Sequence, residues 1–530
     1  MGILWYGGTF YTLEEKGETV EAVFTSNGRI TAVGTEQSLR ETYKEDITEE
    51  HNLQGATAYP GFVDSHLHII GHGEKLTHLD LSSMQSAEEV LRALQSKVKT
   101  LQAGEWIIGE GWNENQWENP RILSKEELDQ VAPNQPLLLT RVCRHAVLAN
   151  SKAIQLAGVN RDTPDPQGGL IERNEHGDET GFFLDTAQDL IKHVIPEVSE
   201  ANLTTLVKKS VDDLTRLGLT GGHTEDLNYY GGYRKTYSAF NKGIDGTQRK
   251  FRAHLLVHHG VFDDVMEDGL DYGGGTQFIE IGAMKIFSDG ALGGRTAWLS
   301  EPYADEPDNV GIPIHSDEGL ESLVRKARAK DMPVAVHAIG DKAAITIAKL
   351  LEKYPLQKDR RDRIIHAQIV NQELLDILQR IPVVLDIQPT FVSSDFPWVV
   401  ERVGQERASH SYPWKTFLEL GIPCAGGSDA PIESVNPLLG IQAAVLRRSS
   451  IDGKTYNQAQ CLSLYEAISL YTKGSAYAIG KEEEMGKISP GYVADFTILE
   501  EDLFKVDPET IDQVLVKKTV IDETVVYQSE

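Results

Sequence analysis

Eight short β-forming runs, most of them divided by helical patterns, set the limits on how this chain can fold. They are GFVDSH from Gly61, LTGGHTE from Leu219, FRAHLLVHH from Phe251 and EIGAMKIFSD from Glu280. Then come MPVAVHAIGD from Met332, RIIHAQIV from Arg363, IPVVLDIQPT from Ile381 and IPCAGGSDA from Ile422. Stretches such as GLESLVRKARAKD, DKAAITIAKLLEKY and NQELLDILQRI carry the helical period between them. Strands alternating with helices make a parallel array, and eight of them predict an α/β fold of the (β/α)8 TIM-barrel type. Such a barrel uses about 250 residues or more as one unit. The 530 residues therefore need not divide into several domains of about 150.

The alternation fails once. About 150 residues separate the first run from the second, far more than a βα loop needs. An insertion subdomain is expected after the first barrel strand, over roughly 75–200 and covering the barrel mouth. Its β-like runs are WIIGEGW, QPLLLTRVCRHAVLA and GGLIE, between Glu105 and Gly181. The two ends of the chain resemble each other in composition. The first 58 residues hold short strands with turns, among them an Asn27-Gly28 turn flanked by β-formers, and the last stretch holds VADFTILE and QVLVKKTVIDETVVYQ. This predicts one small β-sandwich domain formed from both termini (1–58 and 482–530), with the barrel occupying 59–481.

Charge and cysteine content narrow the function classes. Lys and Arg number 51 and Asp and Glu 80, so the net charge is 51 − 80 = −29 with His neutral. A chain this acidic is a poor partner for nucleic-acid phosphate or an anionic membrane. Hydrophobic residues at 40% and charged residues at 25% exclude wholesale disorder. Cys143, Cys424 and Cys461 are far apart and form no CxxC pair, so neither a disulfide framework nor a thiolate zinc site is expected, and a reducing cytoplasm is the expected location. MGILWYGGTF lacks the basic-then-apolar pattern of a signal peptide, with Tyr6 where a myristoylation signal wants Ser or Thr. No run reaches the roughly 18 apolar residues of a membrane span.

The sharpest chemical signal is His66-Leu67-His68, ending the first β-run. Residues i and i+2 of a strand share one face, so both imidazoles can reach one metal ion. His337 ends the fifth run, His366 the sixth, and Asp429 the eighth, each followed by loop residues. These five residues therefore share the rim where such barrels carry their chemistry. Lys285, inside the apolar run GAMKIFSDG, is costly to bury as an ammonium. Three readings are open: a snorkelling lysine, a partner for Asp289, or a lysine carboxylated by carbon dioxide to an anionic carbamate whose two oxygens can bridge cations.

At these residues the chain resembles the amidohydrolase superfamily. PGFVDSHLH, His337, His366 and the SDAP aspartate match its metal-binding pattern, and LSLYEAISLYTKGSAYAIG with MGKISPGYVADFTILE is similar to its passage from barrel to β-domain. KIFSDGALGGRTAWL, GEGWNENQW and RHAVLANSKAI further resemble the branch that includes N-substituted formamide deformylases, the YtcJ-like branch. The resemblance implies one or two divalent ions, Zn2+ by preference. His66 and His68 would hold the more buried ion and His337 and His366 the more exposed one, with carboxylated Lys285 between them. Asp429 is implied as a ligand and as the general base and acid of a metal-activated hydroxide attack on an amide or formamide C–N bond.

Other positions admit two readings each. His145 resembles the branch's substrate-side histidine or is structural. Trp112 and Trp117 floor a pocket or pack a core. Asp289 and Arg295 orient Lys285, contact substrate, or form ion pairs. His223 ends the second run without an implied ligand role, and His258-His259 stabilise the end of the third. The expected partner is a small-molecule substrate, with no nucleic acid and no membrane, and a homodimer is left open. Ester, lactone or carbamate hydrolysis on the same centre is the alternative activity. A catalytically silent binding or regulatory relative is the alternative class.

Overall fold

In a computed structural model of the chain, the eight β-runs become eight strands of one sheet. They are β1 (Phe62–Leu67), β2 (Leu219–Thr224), β3 (Arg252–His258), β4 (Ile279–Phe287), β5 (Val334–Ala338), β6 (Asp362–His366), β7 (Val383–Ile387) and β8 (Cys424–Gly426). The structure describes residues 2–114, 117–141, 146–166, 168–196, 198–357 and 360–530. Strand order follows the chain from β1 to β8, and each neighbouring pair is parallel. The ends of β1 and β8 meet through loop bonds: the Asp429 N–H donates to the His66 carbonyl at 2.7 Å, and the His68 N–H to that of Ala430 at 2.7 Å. That seam brings His66 and His68 beside Asp429.

Helices form where the apolar period and the caps agree. Asp317–Arg328 buries Leu320, Val324 and Ala327, spaced at one helical face, and starts on Ser316, whose side chain accepts from the Gly319 N–H. Asp341–Lys353 buries Ala344, Ile347, Ala348 and Leu351 in the same way. On the strands, Ala283 and Ala335 share the faces of Lys285 and His337. With Leu256 and Ile365 they form a buried apolar layer. Register then sets the site: Lys285 lies opposite His258 and Ala335, and His337 opposite Phe287 and Ile365.

Contact clustering separates residues 1–72 with 200–530 from residues 73–199. In the first unit both chain ends enter one six-stranded sheet, where Phe496–Leu499 pairs antiparallel with Thr57–Pro60. A four-stranded sheet from the N-terminal segment shares its core through Trp5, Val23, Phe10 and Phe496. The Asn27-Gly28 turn joins Ala22–Ser26 to Arg29–Gly34, with both turn residues at positive φ (53° and 75°), the geometry that Asn-Gly accommodates.

The second unit has its own six-stranded sheet. WIIGEGW becomes Ile107–Trp112 and GGLIE falls in Gly169–Arg173. QPLLLTRVCRHAVLA splits into the antiparallel pair Leu137–Arg141 and Ala146–Ala149. This sheet begins earlier than its β-like sequence, at Leu79–Asp80, and carries the helices Ala87–Val98, Lys125–Val131 and Ser151–Ala157. Among the described residues no helix is long and apolar enough to cross a membrane.

Candidate metal centre

The C-terminal ends of the barrel strands bring together all six residues expected there. Asp429 Oδ1 lies 3.4 Å from Nε2 of both His66 and His68. Lys285 Nζ lies 3.4 Å from His66 Nε2, and His366 Nε2 lies 3.0 Å from His337 Nδ1. Ligand atoms of His66, His366 and Asp429 all fall within 4.8 Å of one another. Two of these residues hold uncommon backbone conformations, His366 at φ 81° and Asp429 at φ 58°. For non-glycine residues that region is strained, and here it turns both side chains off their strand ends.

Partners on the far side of each ring fix the imidazoles. A carbonyl oxygen only accepts, so the ring nitrogen facing it must carry the proton. His68 Nδ1 donates to the Glu225 carbonyl at 2.6 Å, and His337 Nε2 to that of Gly290 at 3.1 Å. His366 Nδ1 donates to Gln388 Oε1 at 2.7 Å, and the amide is oriented by its own donation to the Asp386 carbonyl at 3.1 Å. His337 Nδ1 and His366 Nε2 are thereby left bare and facing each other.

Burial, together with the neighbouring His366 and Lys285, holds His337 well below its ordinary value. Burial brings His366 down to about 4, against the pull of Asp429. Two unprotonated lone pairs 3.0 Å apart repel unless a cation stands before them, and that separation suits nitrogens each about 2.0–2.1 Å from one ion. The donor set therefore fits a divalent metal, with outer hydrogen bonds of the kind that orient metal-binding histidines.

The remaining electrostatics concern His68, Asp429 and Lys285. Burial works against a charge on His68, but the Asp429 carboxylate reverses this and raises it to about 9. Burial would raise Asp429, and His68, His366 and Lys285 outweigh it and hold the carboxyl below its usual range. Lys285 is fully buried, which pulls its amine down to about 8 against the attraction of Glu225, Asp429 and Asp386. Its acidic neighbours are thus those three. Asp289 is not among them: it accepts from the backbone N–H groups of Trp298, Ile339 and Gly340 at 2.8–3.1 Å and lies 3.5 Å from His337 Nε2.

Asp64 and the Arg363–Asp386 pair support this arrangement. The Asp64 carboxylate accepts from the His66 N–H at 3.0 Å, the Ser428 N–H at 3.1 Å and the Ser428 hydroxyl at 2.6 Å, so it ties β1 to the turn after β8. A Cβ at Gly427 would stand 2.6 Å from the His66 nitrogen, so only glycine allows that approach. Arg363 and Asp386 form a fully buried ion pair at 2.7 Å, and Arg363 also donates to the Ser65 carbonyl at 2.5 Å. Removing one member of such a pair leaves a buried charge uncompensated. Arg363→Met is therefore expected to destabilise the fold by about 3–5 kcal/mol, read from the denaturant midpoint. The double variant Arg363→Met/Asp386→Leu should recover part of the loss. A single variant as stable as the parent would show that the pair contributes nothing.

The other expected positions fare differently. Trp112 is buried in the core of the 73–199 unit, its indole N–H donating to the Leu139 carbonyl at 3.3 Å. Trp117 packs in the same core. Among the described residues, apolar packing surrounds both rings. Arg295 forms ion pairs with Asp305 at 2.8 Å and Glu306 at 3.2 Å, the ion-pair reading among those open for it. His145 lies outside the described residues. His258 and His259 stack at 4.3 Å, and the His259 N–H donates to the Lys285 carbonyl at 2.9 Å, so this pair does fasten the end of β3. Sequence reasoning passed over Glu225, which is buried with Oε2 accepting from Tyr229 at 2.5 Å and which counts among the acidic neighbours of Lys285. It also passed over Gln388 and Asp64.

Such a rim of imidazoles, lysine and carboxylate on a (β/α)8 barrel defines the amidohydrolase class. The chain belongs to that family: a family model described as the amidohydrolase family matches residues 49–527. YtcJ of Bacillus subtilis (strain 168), whose name places it among the amidohydrolases, is 50% identical over 530 residues, covering 100% of both chains. The N-substituted formamide deformylase of Arthrobacter pascens is 26% identical over 536 residues, covering 98% of this chain and 96% of its own. Among solved structures, a metal-dependent hydrolase from Pyrococcus horikoshii OT3 superposes with a TM-score of 0.81 at 28% identity, covering 96% of this chain and 99% of its own.

Proposed function

We propose that this protein is a metal-dependent hydrolase that cleaves the C–N bond of a small amide, of which N-substituted formamides are the leading class. The observation that carries the reading is the convergence of bare imidazole nitrogens, a buried amine and one carboxylate on a single rim. His66, His68, His337, His366 and Asp429 would hold the metal, Zn2+ by preference, with Lys285 joining them as a carbamate. A divalent ion there supplies Lewis-acid polarisation of a carbonyl and lowers the pKa of bound water. The formamide class is taken from the resemblance of the chain to the Arthrobacter deformylase.

The chain's own part is orientation and proton transfer. Asp429 faces His66 and His68 across 3.4 Å, and on this reading it takes a proton from an attacking water. It can then return that proton to the departing nitrogen, which cannot leave as an amide anion. Phe391 stacks on His366 with 8° between the ring planes, and Phe287 packs at 5.3 Å from His337. These apolar faces pack against the two rings.

The test is metal analysis of the purified protein together with a hydrolysis screen over N-substituted formamides, N-acyl amino acids, cyclic ureas, lactones and esters. At least one divalent ion per chain is expected, with release of amine from a C–N substrate that a chelator abolishes and added Zn2+ restores. Chelator-resistant turnover would overturn the metal reading. Cleavage confined to esters or lactones would overturn the C–N reading.

A further inference from the structure

The loop after β2 carries two side chains to which the hydrolytic reading gives no role, Glu225 and Tyr229. Glu225 is fastened to the end of β1 by its backbone: its N–H donates to the Leu67 carbonyl at 3.2 Å, and its own carbonyl accepts from His68 Nδ1 at 2.6 Å. Its side chain is fully buried, with Oε2 accepting from the Tyr229 hydroxyl at 2.5 Å and Oε1 without a partner. That length is the one expected of a hydroxyl held by a charged carboxylate. Tyr229 is 49% exposed, and its ring stands edge-on to His68 at 6.3 Å and to His258 at 6.1 Å. Burial and the Glu225, Asp226 and Asp429 carboxylates keep the phenol protonated, well above its ordinary value. Asp429, the group assigned to proton transfer, is thus among its near neighbours.

The hydrogen-bond inventory at this edge of the rim is one-sided. A phenol has a single proton to give, and that of Tyr229 goes to Glu225. Turning it toward a ligand would leave a buried carboxylate without that donor, which costs more than a typical hydrogen bond returns. What Tyr229 offers a ligand is therefore its oxygen, as an acceptor. A carboxylate or carbonyl oxygen placed there would meet lone pairs with the Glu225 charge behind them. An ammonium would bring three donors to one half-exposed acceptor beside the divalent ion of the proposed centre, since Glu225 Oε1 and Asp226 Oδ1 are enclosed. An ester or lactone brings no donor at its scissile bond. A secondary amide brings one N–H, next to its scissile carbonyl, and one acceptor answers it.

We propose that Tyr229 is a specificity-determining residue of the hydrolytic site, accepting the N–H of a secondary amide on its phenolic oxygen. Glu225 is the positioning residue that holds the phenol's proton away from the substrate. This inference rests on the C–N hydrolase reading and narrows its substrates to N-monosubstituted amides. The probes are N-propylformamide and N-methyl-N-propylformamide, in which N–CH3 replaces that N–H, on metal-loaded protein, with kcat/KM and calorimetric binding both measured. The secondary amide is expected to be favoured about tenfold in either readout, the scale of one hydrogen bond. Tyr229→Phe keeps the ring against His68 and His258. It should weaken the secondary amide about tenfold and leave the tertiary one unchanged, at unchanged metal content. Glu225→Gln retains an acceptor for the phenol and should keep the preference, whereas Glu225→Ala should lose it. Should Glu225→Ala fail to fold, Tyr229→Phe decides. A preference that survives Tyr229→Phe is steric in origin and overturns the proposal, as does a Tyr229→Phe that weakens both amides alike. Equal handling of the two amides by the parent, neither binding nor turnover of either, or tighter binding of propylammonium would overturn it too. Equal turnover of both leaves the hydrolytic reading standing, whereas the expected binding preference without turnover supports Tyr229 and removes the hydrolytic reading instead.

Discussion

Asp429→Asn is expected to lower kcat on an amide substrate by about a thousandfold, within the roughly 10²–10⁴ that a positioned acid–base group contributes. The variant isolates the proton-transfer role because most of the geometry survives it. Asn is nearly isosteric with Asp and is enriched at positive φ, so the strained backbone at φ 58° is kept. The N–H that donates to the His66 carbonyl at 2.7 Å is kept as well. What is lost is the negative charge that faces His66 and His68 at 3.4 Å and the capacity to accept a proton. The thermal midpoint should move little and the fall should lie in kcat rather than KM, with metal content measured beside it. Turnover within tenfold of the parent at unchanged metal content would remove Asp429 from the proton-transfer role. Asp429→Ala is the poorer test, since it adds backbone strain to lost chemistry.

How much of this site was legible in the sequence depended on where each side chain sits. His66, His68, His337, His366 and Asp429 were readable because they end β-runs, and strand ends of a parallel barrel point to one rim. Lys285 was readable because a cation in an apolar run demands a reason. Glu225 follows the same period-two logic from His223 and its signal went unused. Gln388 and Asp64 carry no such signal, because they act through ring nitrogens and backbone N–H groups whose positions exist only once the strands are in register. Trp112 and Arg295 show the opposite limit. An indole reads the same whether it floors a pocket or fills a core, and Arg295 meets its acids ten and eleven residues on, at Asp305 and Glu306. That both β-rich chain ends enter one small β-domain was inferable from their similar composition, but the pairing of Phe496–Leu499 with Thr57–Pro60 and its antiparallel register were not.

Lys285→Ala is expected to lose both bound metal and activity, the latter by about a hundredfold or more on the scale of an acid–base or metal-supporting group, with short carboxylic acids such as acetate or propionate partly restoring each. The argument begins with burial. The side chain is fully enclosed beside Glu225, Asp429 and Asp386, and burial lowers its amine to about 8. Near neutral pH a fraction of the amine is therefore unprotonated and able to add carbon dioxide, forming an N–C bond and releasing one proton. On the proposed carbamylation the side chain would pass from cation to anion. A positive Lys285, 3.4 Å from His66 Nε2, would repel any divalent ion held by that imidazole, whereas the carbamate attracts it and offers two oxygens. Ala removes both forms and leaves room that a small carboxylate can enter, which explains why rescue should follow acid size and fail with a neutral isostere such as acetamide. Enzyme prepared under 13C-labelled carbon dioxide should show a carbamate carbon that the Ala variant lacks. An unmodified amine in metal-loaded enzyme at high resolution, or full metal content in Lys285→Ala, would leave Lys285 as a plain ion-paired lysine and return the centre to its imidazoles and Asp429.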